Sequence, residues 1–341
     1  MKSQSSGPRR QRGIAALTAM LVVTIATILA VELIWDLNLD LRRTETILAR
    51  EQARQIAYGL ELLAAQLLEA DHEDDNEGSV QGSDNLLEVW AEQYSFPFEG
   101  GQVAGRLEDM QGRFNLNNLV NYRCQRKTSD PDIVKEQFRR LLRIATSDLE
   151  REQQIDVDAV VDSVMDWLDA DQLPDLVGAE DGFYTALDPA SRAGNFWFTS
   201  TSELQAVNGM TPAAYRVISG LLAALPPLQG NDLPINVNTA PEPVLRSLSE
   251  DVADAQVADW IERQQSDPFD NQTIGTDFFG EGSDSARLDQ NEMPAVATAS
   301  QYFRLTVIAS IGTTRLTMYS LLERDPTTGV VTTRYRSFDT E

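Results

Sequence analysis

The chain begins with four basic side chains (Lys2, Arg9, Arg10 and Arg12). Eighteen uncharged and largely apolar residues then run from Ile14 to Val31, and the first charge after them is Glu32. At about 1.5 Å per residue, a helix of roughly 20 such residues crosses the hydrocarbon core of a bilayer and satisfies its own backbone there. Cations beside a membrane span stay on the cytoplasmic side, so the rest of the chain is placed on the far side. A cleaved secretory signal has a shorter apolar run and a small-x-small site near its end. Residues 14–34 lack both features and are read as a retained transmembrane helix.

The helical pattern continues beyond the bilayer. Ala49, Ala53, Ile56, Leu60, Leu63 and Leu67 recur at spacings of three and four, which draws one apolar stripe along a helix. No proline occurs between Gly13 and Pro97, so one helix from Ile14 to about Leu68 is expected, roughly 80 Å long. An anchor followed by a short coiled-coil stalk fits the same stripe. Asp71 to Asp84 is acidic and contains Gly and Ser, and reads as a loop. A short helix over about Asn85 to Tyr94 follows, with Leu86, Leu87 and Trp90 facing inward. Val103, Gly105 and Leu107 alternate with polar neighbours, as in a half-buried strand. Tyr302–Ile311, Leu316–Glu323 and Val330–Tyr335 are β-branched and aromatic runs separated by turn residues. Between these strand regions the chain reads as mainly helical, with periodic stretches at Ile133–Leu149 and Val157–Leu168 and Asp156 placed as a helix cap. The fold class is therefore α+β: a long N-terminal helix packed on an antiparallel sheet, with a large inserted α-helical domain. The segments are a leader at 1–13, the transmembrane helix at 14–34, spine and first part of the head at 35–120, the inserted domain at 121–294 and C-terminal strands at 295–341.

Charge narrows the function. The 53 Asp and Glu residues all follow Gly13, where only 24 of the 28 Lys and Arg residues lie. Such a body repels phosphate backbones and anionic lipid surfaces, so nucleic acid is not expected; the thin inventory of nucleophiles and bases speaks against a small-molecule substrate. Divalent cations and basic protein patches suit it better. After Gly13 there is one His (His72), one Cys (Cys124) and two Lys (Lys127 and Lys135), and no H-E-x-x-H, G-x-S-x-G, Walker or G-x-G-x-x-G motif. Cys124 has no internal partner; it is either a buried inert thiol or a link to another chain. Carboxylate pairs can hydrolyse glycosides, but in so acidic a chain such pairs arise by chance. The expectation is a protein without enzymatic activity.

Two features carry a family resemblance. The basic leader ends in Gly13 and the apolar helix starts at once with Ile14, which resembles the processing site of type IV prepilins and type II secretion pseudopilins. In addition, Glu108-Asp109-Met110-Gln111-Gly112-Arg113-Phe114-Asn115-Leu116-Asn117-Asn118-Leu119 resembles the D-x-Q-G-R-F-N-L-N-N-L signature of type II secretion protein K, the largest minor pseudopilin. Trp167-Leu168-Asp169-Ala170-Asp171, Gly178-Ala179-Glu180-Asp181, Ser202-Glu203-Leu204 and Ile235-Asn236-Val237-Asn238-Thr239-Ala240-Pro241 extend the likeness over most of the chain. The resemblance implies a pilin-like spine and cleavage after Gly13 by a prepilin peptidase, with methylation of the Ile14 amine. It also implies an inner-membrane location with a periplasmic head, and a tip complex with other minor pseudopilins. Major pilins carry a Glu at mature position five; Thr18 stands there in this chain, as the resemblance implies for a subunit at the tip.

Two further patterns lie in the helical region. Leu204 to Thr211 with the helix after it, and Ile235 to Ile261, resemble helix-hairpin-helix units. Val164-Met165-Asp166-Trp167-Leu168 and Val257-Ala258-Asp259-Trp260-Ile261 hint at an internal repeat. Such units often bind DNA, and a membrane-anchored DNA receptor is the rival reading. Thr211, however, replaces the second hairpin Gly, and nearby cations are sparse. Asp166, Asp169, Asp171, Asp175, Glu180 and Asp181 crowd a stretch without a basic side chain, around Pro174 and Gly178. This is either a solvated acidic face or an oxygen-rich calcium loop. The protein K resemblance favours calcium, with Asp169, Asp171, Glu180 and Asp181 as ligands.

Overall fold

A computed structural model describes residues 11–77, 82–119, 131–227, 232–280 and 293–340. Cys124, Lys127 and the leader before Gln11 lie outside them. Helix α1 runs without interruption over Gln11–Glu77, 67 residues or about 100 Å. It continues past Leu68 into the acidic stretch read as a loop. Acids at its start are tied down rather than left to repel: Asp71 pairs with Arg324 at 3.0 Å, and Glu69 just before it accepts the Val331 N–H at 2.9 Å.

Residues 14–48 of α1 are exposed around the whole circumference. From Ala53 onward one stripe is buried: Ala53, Ala57, Leu60, Ala64 and Leu68. The expected stripe holds at Ala53 and Leu60, but Leu63 is 40% exposed and Ala64 takes its place. The sheet comes close at Leu60, where a Cβ on Gly105 would sit 2.5 Å from Leu60 Cδ2.

The sheet against α1 is antiparallel, in the order β1 (Gln93–Phe98), β2 (Gly101–Asp109), β7 (Tyr302–Ile311), β8 (Thr314–Arg324) and β9 (Val331–Phe338). Val103, Gly105 and Leu107 face the core, as their alternation predicts. The expected helix at Asn85–Tyr94 is corrected. Only Val89–Ala91 makes a 3-10 turn, and Leu86 and Leu87 are 51% and 57% exposed while Trp90 is buried. The Glu88 carboxylate accepts from the Asn85 N–H and the Trp90 indole, closing the turn so that the next residues can pair as β1.

Two charged side chains lock the spine to the sheet. Glu61 sits inside the buried face of α1, where it accepts two hydrogen bonds from Arg336 Nε and one from its Nη2, one from Ser320 Oγ at 2.6 Å and one from Thr333 Oγ1 at 3.0 Å. Burial alone would raise this carboxyl, but the bonds from Arg336, Ser320 and Thr333 outweigh it and hold the group below its ordinary 4.5. Arg324, buried on β8, donates to both Asp84 oxygens, to Asp71, to the Leu68 carbonyl at 3.3 Å and to the Ser300 carbonyl at 3.0 Å. Its guanidinium also lies 5.0 Å from the Phe303 ring centre.

The helical region leaves the sheet after β2 and returns before β7, two strands that pair directly from Gly101↔Ile311 to Asp109↔Phe303. It has its own core, built by helices α2 (Pro131–Thr146), α3 (Val157–Leu168), the short α4 (Asp181–Tyr184), α5 (Pro212–Ile218), α6 (Glu242–Ser247) and α7 (Asp254–Ser266). Asp156 caps α3 by accepting the Ala159 N–H, as expected. Short strand pairs stitch the loops: β3 (Phe114–Asn115) with β4 (Leu222–Ala223), and β5 (Ile235–Asn236) with β6 (Val296–Ala297).

The two polar motifs of the sequence form the root of this region. Asp109 Oδ2 accepts from Asn236 Nδ2 at 2.9 Å, Thr239 Oγ1 at 2.6 Å and Ser300 Oγ at 2.7 Å, and Oδ1 accepts from the Gln111 N–H at 2.8 Å. Asn117 donates to the Phe198 and Leu225 carbonyls and accepts the Phe198 N–H, filling the place of a neighbouring strand. Asn238 treats Phe269 in the same way, and Asn118 treats Leu233. Each amide offers a donor and an acceptor, which is what buried loop backbone needs.

Two outcomes follow for the full chain in detergent. Glu61 has a depressed pKa, so its contribution is present above 4.5 and lost as pH falls through the lower folded value. Thermal unfolding should therefore show a steeper drop between pH 6 and pH 3 for the natural chain than for Glu61→Gln; parallel curves would refute this. Asp109→Ala removes the shared acceptor of four donors and should cost about 2–4 kcal/mol, read as a lowered unfolding midpoint.

Candidate functional site

Gly13 and Ile14 lie in the first turns of α1, so the helix passes through the junction. The Thr18 hydroxyl donates back to the Ile14 carbonyl at 3.1 Å and the Ala15 carbonyl at 3.0 Å. Thr18 thus presents a satisfied hydroxyl, which suits an apolar surrounding. Thr24 and Thr27 do the same one turn back along the helix. Among the described residues, α1 is the helix long and apolar enough to cross a membrane.

The acidic stretch folds into a compact centre at the end of α3. Carboxylate oxygens of Asp166, Asp169 and Glu180 converge within 4.8 Å of one another, and all three residues are buried. Asp166 and Asp169, three apart at the helix end, project to one side. Gly178 lets the loop fold back, since a Cβ there would meet Asp166 Oδ2 at 2.0 Å. Both Glu180 oxygens are buried, and among the described residues neither has a hydrogen-bond donor. Burial first, then Asp166, Asp171 and Asp181, pushes the Glu180 carboxyl up to about 7. Acceptor-only oxygens held together in this way fit a hard cation with oxygen ligands.

Of the four residues expected as ligands, the structure brings Asp169 and Glu180 together and adds Asp166. Asp171 and Asp181 stay close enough to raise Glu180 but outside that group. Asp181 Oδ1 accepts the Ala193 N–H at 3.0 Å, and Asp171 Oδ1 accepts the Leu173 N–H at 2.9 Å. Nearby negative charge is partly met by Lys135 of α2, 2.8 Å from Asp162 and 3.8 Å from Asp175. The linear sequence could not show this cation, which is far away in the chain.

The first hairpin is part of the core. Val207 and Met210 are buried, the Asn208 N–H donates to the Tyr184 hydroxyl at 3.1 Å, and the Thr211 hydroxyl caps α5 by accepting the Ala214 N–H. In the repeated pentapeptides Trp167 and Trp260 are both buried, but Asp166 is buried whereas Asp259 is exposed. The repeat keeps its packing residues and differs at the acid.

The family model for "type II secretion system (T2SS), protein K" matches residues 112–227 and 235–279. The type II secretion system protein K of Pseudomonas aeruginosa is 35% identical over 93% of this chain and 90% of its own length. The protein of the same name from Aeromonas hydrophila is 31% identical over 93% and 94%. Among solved structures, the crystal structure of the GspK-GspI-GspJ complex from the enterotoxigenic Escherichia coli type 2 secretion system contains a similar fold. The match has a TM-score of 0.68 at 22% identity and covers 88% of this chain and 100% of that one. With its motifs, fold and relatives in agreement over most of its length, the chain belongs to the type II secretion system protein K family and is a minor pseudopilin by that membership.

Proposed function

We propose that this minor pseudopilin caps the tip of the pseudopilus and helps to start its assembly for protein export across the outer membrane. The observation that carries the reading is the second, self-contained core inserted between two paired strands of the pilin-like head. A helix-on-sheet head can be stacked upon, whereas one bearing so large an insertion obstructs a subunit placed above it. Thr18 supports the same place, since a subunit with nothing above it gains nothing from a carboxylate at position five. In this reading α1 anchors the chain in the inner membrane, the head is periplasmic, and other minor pseudopilins join along α1 and the head. The role is architectural and requires no catalysis.

Cleavage after Gly13 by the prepilin peptidase, with methylation of Ile14, belongs to the proposal. Mass spectrometry of the first residue is the test: the natural chain should begin at Ile14, and Gly13→Val should leave an uncleaved precursor that fails to enter the filament. Normal secretion with that variant would defeat the account.

We further propose that Asp166, Asp169 and Glu180 hold a calcium ion, with Asp171 and Asp181 adding negative charge beside them. Calcium would supply cross-linking charge that fixes the loop after α3 to the helix end. At a hundredfold excess over Kd, such binding adds about 2.7 kcal/mol. The unfolding midpoint should rise with millimolar calcium over EDTA, and Asp169→Asn combined with Glu180→Gln should abolish the rise.

A further inference from the structure

Helix α1 lies across β7 and β8, and the sheet extends past it on the β1 side. Tyr94 and Phe96 pair with Gly105 and Val103 of β2, so they point to the same face as those core residues, beyond the reach of α1. Their rings lie parallel, 6.2 Å apart, and Phe96 is 40% exposed. A groove is left between α1 and the overhanging β1, with a cavity of about 350 Å³. Leu63 and Leu67 form one wall, Tyr94 and Phe96 the other, with Leu60 and Gly105 at the base. The polar side chains along it are engaged elsewhere. The Tyr94 hydroxyl donates to the Val89 carbonyl at 2.6 Å, the Trp90 indole donates to Glu88, and Arg106 lies 3.8 Å from Glu108 on the opposite face of the sheet.

The groove continues along α1 as a flank without charge. Gln52, Ile56, Gly59, Leu63, Gln66 and Ala70 recur at spacings of four and three, and none of them is buried. A Cβ on Gly59 would meet nothing within 4 Å. A repeat of about 3.5 residues is the period of a helix packed along another helix. The sheet holds α1 by a different set, Ala53, Ala57, Leu60, Ala64 and Leu68. The opposite flank is charged and occupied: Arg50 pairs with Asp339, Arg54 lies over the Phe338 ring, and Glu61 meets Arg336.

We propose that this groove seats an α-helix of another minor pseudopilin, laid along α1 under β1 with an uncharged face inward. The walls select a helix. An extended segment would bury N–H and C=O groups against side chains that cannot bond them, whereas a helix satisfies its own backbone. Lipid is out of reach, because Leu60 and Leu67 lie roughly 40–50 Å beyond Ile34 at about 1.5 Å per residue. In a second copy of this chain the matching flank is overhung by its own β1, so two copies cannot exchange these stretches. The inference rests on the chain's joining other minor pseudopilins and not on its place at the tip.

The test uses the full chain co-expressed with the other minor pseudopilins of its secretion system and purified in detergent. p-Benzoylphenylalanine in place of Phe96 or Leu63 should cross-link to a helix of another minor pseudopilin. Leu63→Glu should lower recovery of the complex at least tenfold. Gly59→Glu should do the same, and it adds a side chain in open space on a helix, so its loss is not one of folding. The proposal is overturned if the complex is recovered but the cross-links fall on a second copy of this chain, on a non-helical segment or nowhere. It is also overturned if both variants recover the complex like the natural chain. A natural chain that recovers no minor pseudopilin would overturn the partnership together with the groove.

Discussion

Arg324 is the interaction on which the two halves of the molecule depend. One guanidinium reaches the end of α1 through Leu68 and Asp71, the segment before β1 through Asp84, and the approach to β7 through Ser300. Burying a cation is costly unless its hydrogen bonds and counter-charges are supplied, and here five acceptor atoms surround it. The network continues from the Asp84 carbonyl to Asn236 and on to Asp109, so the spine, the sheet and the root of the helical region share one polar seam. Apolar packing fills the two cores, whereas this seam fixes how they are joined.

The parts of the fold that obey a simple period were legible in the sequence. The α3 stretch has the expected bounds, the three C-terminal strands lie where β-branched runs placed them, and the membrane-length helix follows from its apolar run. Misreadings came where a tertiary contact overrides local pattern. Leu63 fits the apolar stripe better than Ala64, yet Ala64 is the one that faces the sheet, in line with Ala53, Ala57, Leu60 and Leu68. Leu86 and Leu87 read as inward-facing, but the turn is set by the bonds from Asn85 and Trp90 to Glu88.

The sites were legible as composition and less so as geometry. The acidic crowd was plain, but Asp166 belongs to its centre because it stands three residues before Asp169 at a helix end. The asparagine-rich motifs marked the family without revealing their work, which is to stand in for missing strand neighbours inside loops. The apolar stripe marked Leu63 and Leu67, but the pairing of β1 with β2 is what sets Tyr94 and Phe96 across a groove from them.

That same strand pairing imposes an order of events. β2 is made before the helical region and β7 after it, so their contact closes a very long stretch of chain. Closure entropy grows with the length of flexible chain, and an insertion that has already condensed around its own core shortens what must be closed. The insertion is thus favoured to settle first, and the sheet zips afterwards. Until β7, β8 and β9 have joined it, the sheet is half built and β2 keeps an open edge. A copy that stops short of β7 therefore never presents a finished head, because the sheet is completed only by the last part of the chain.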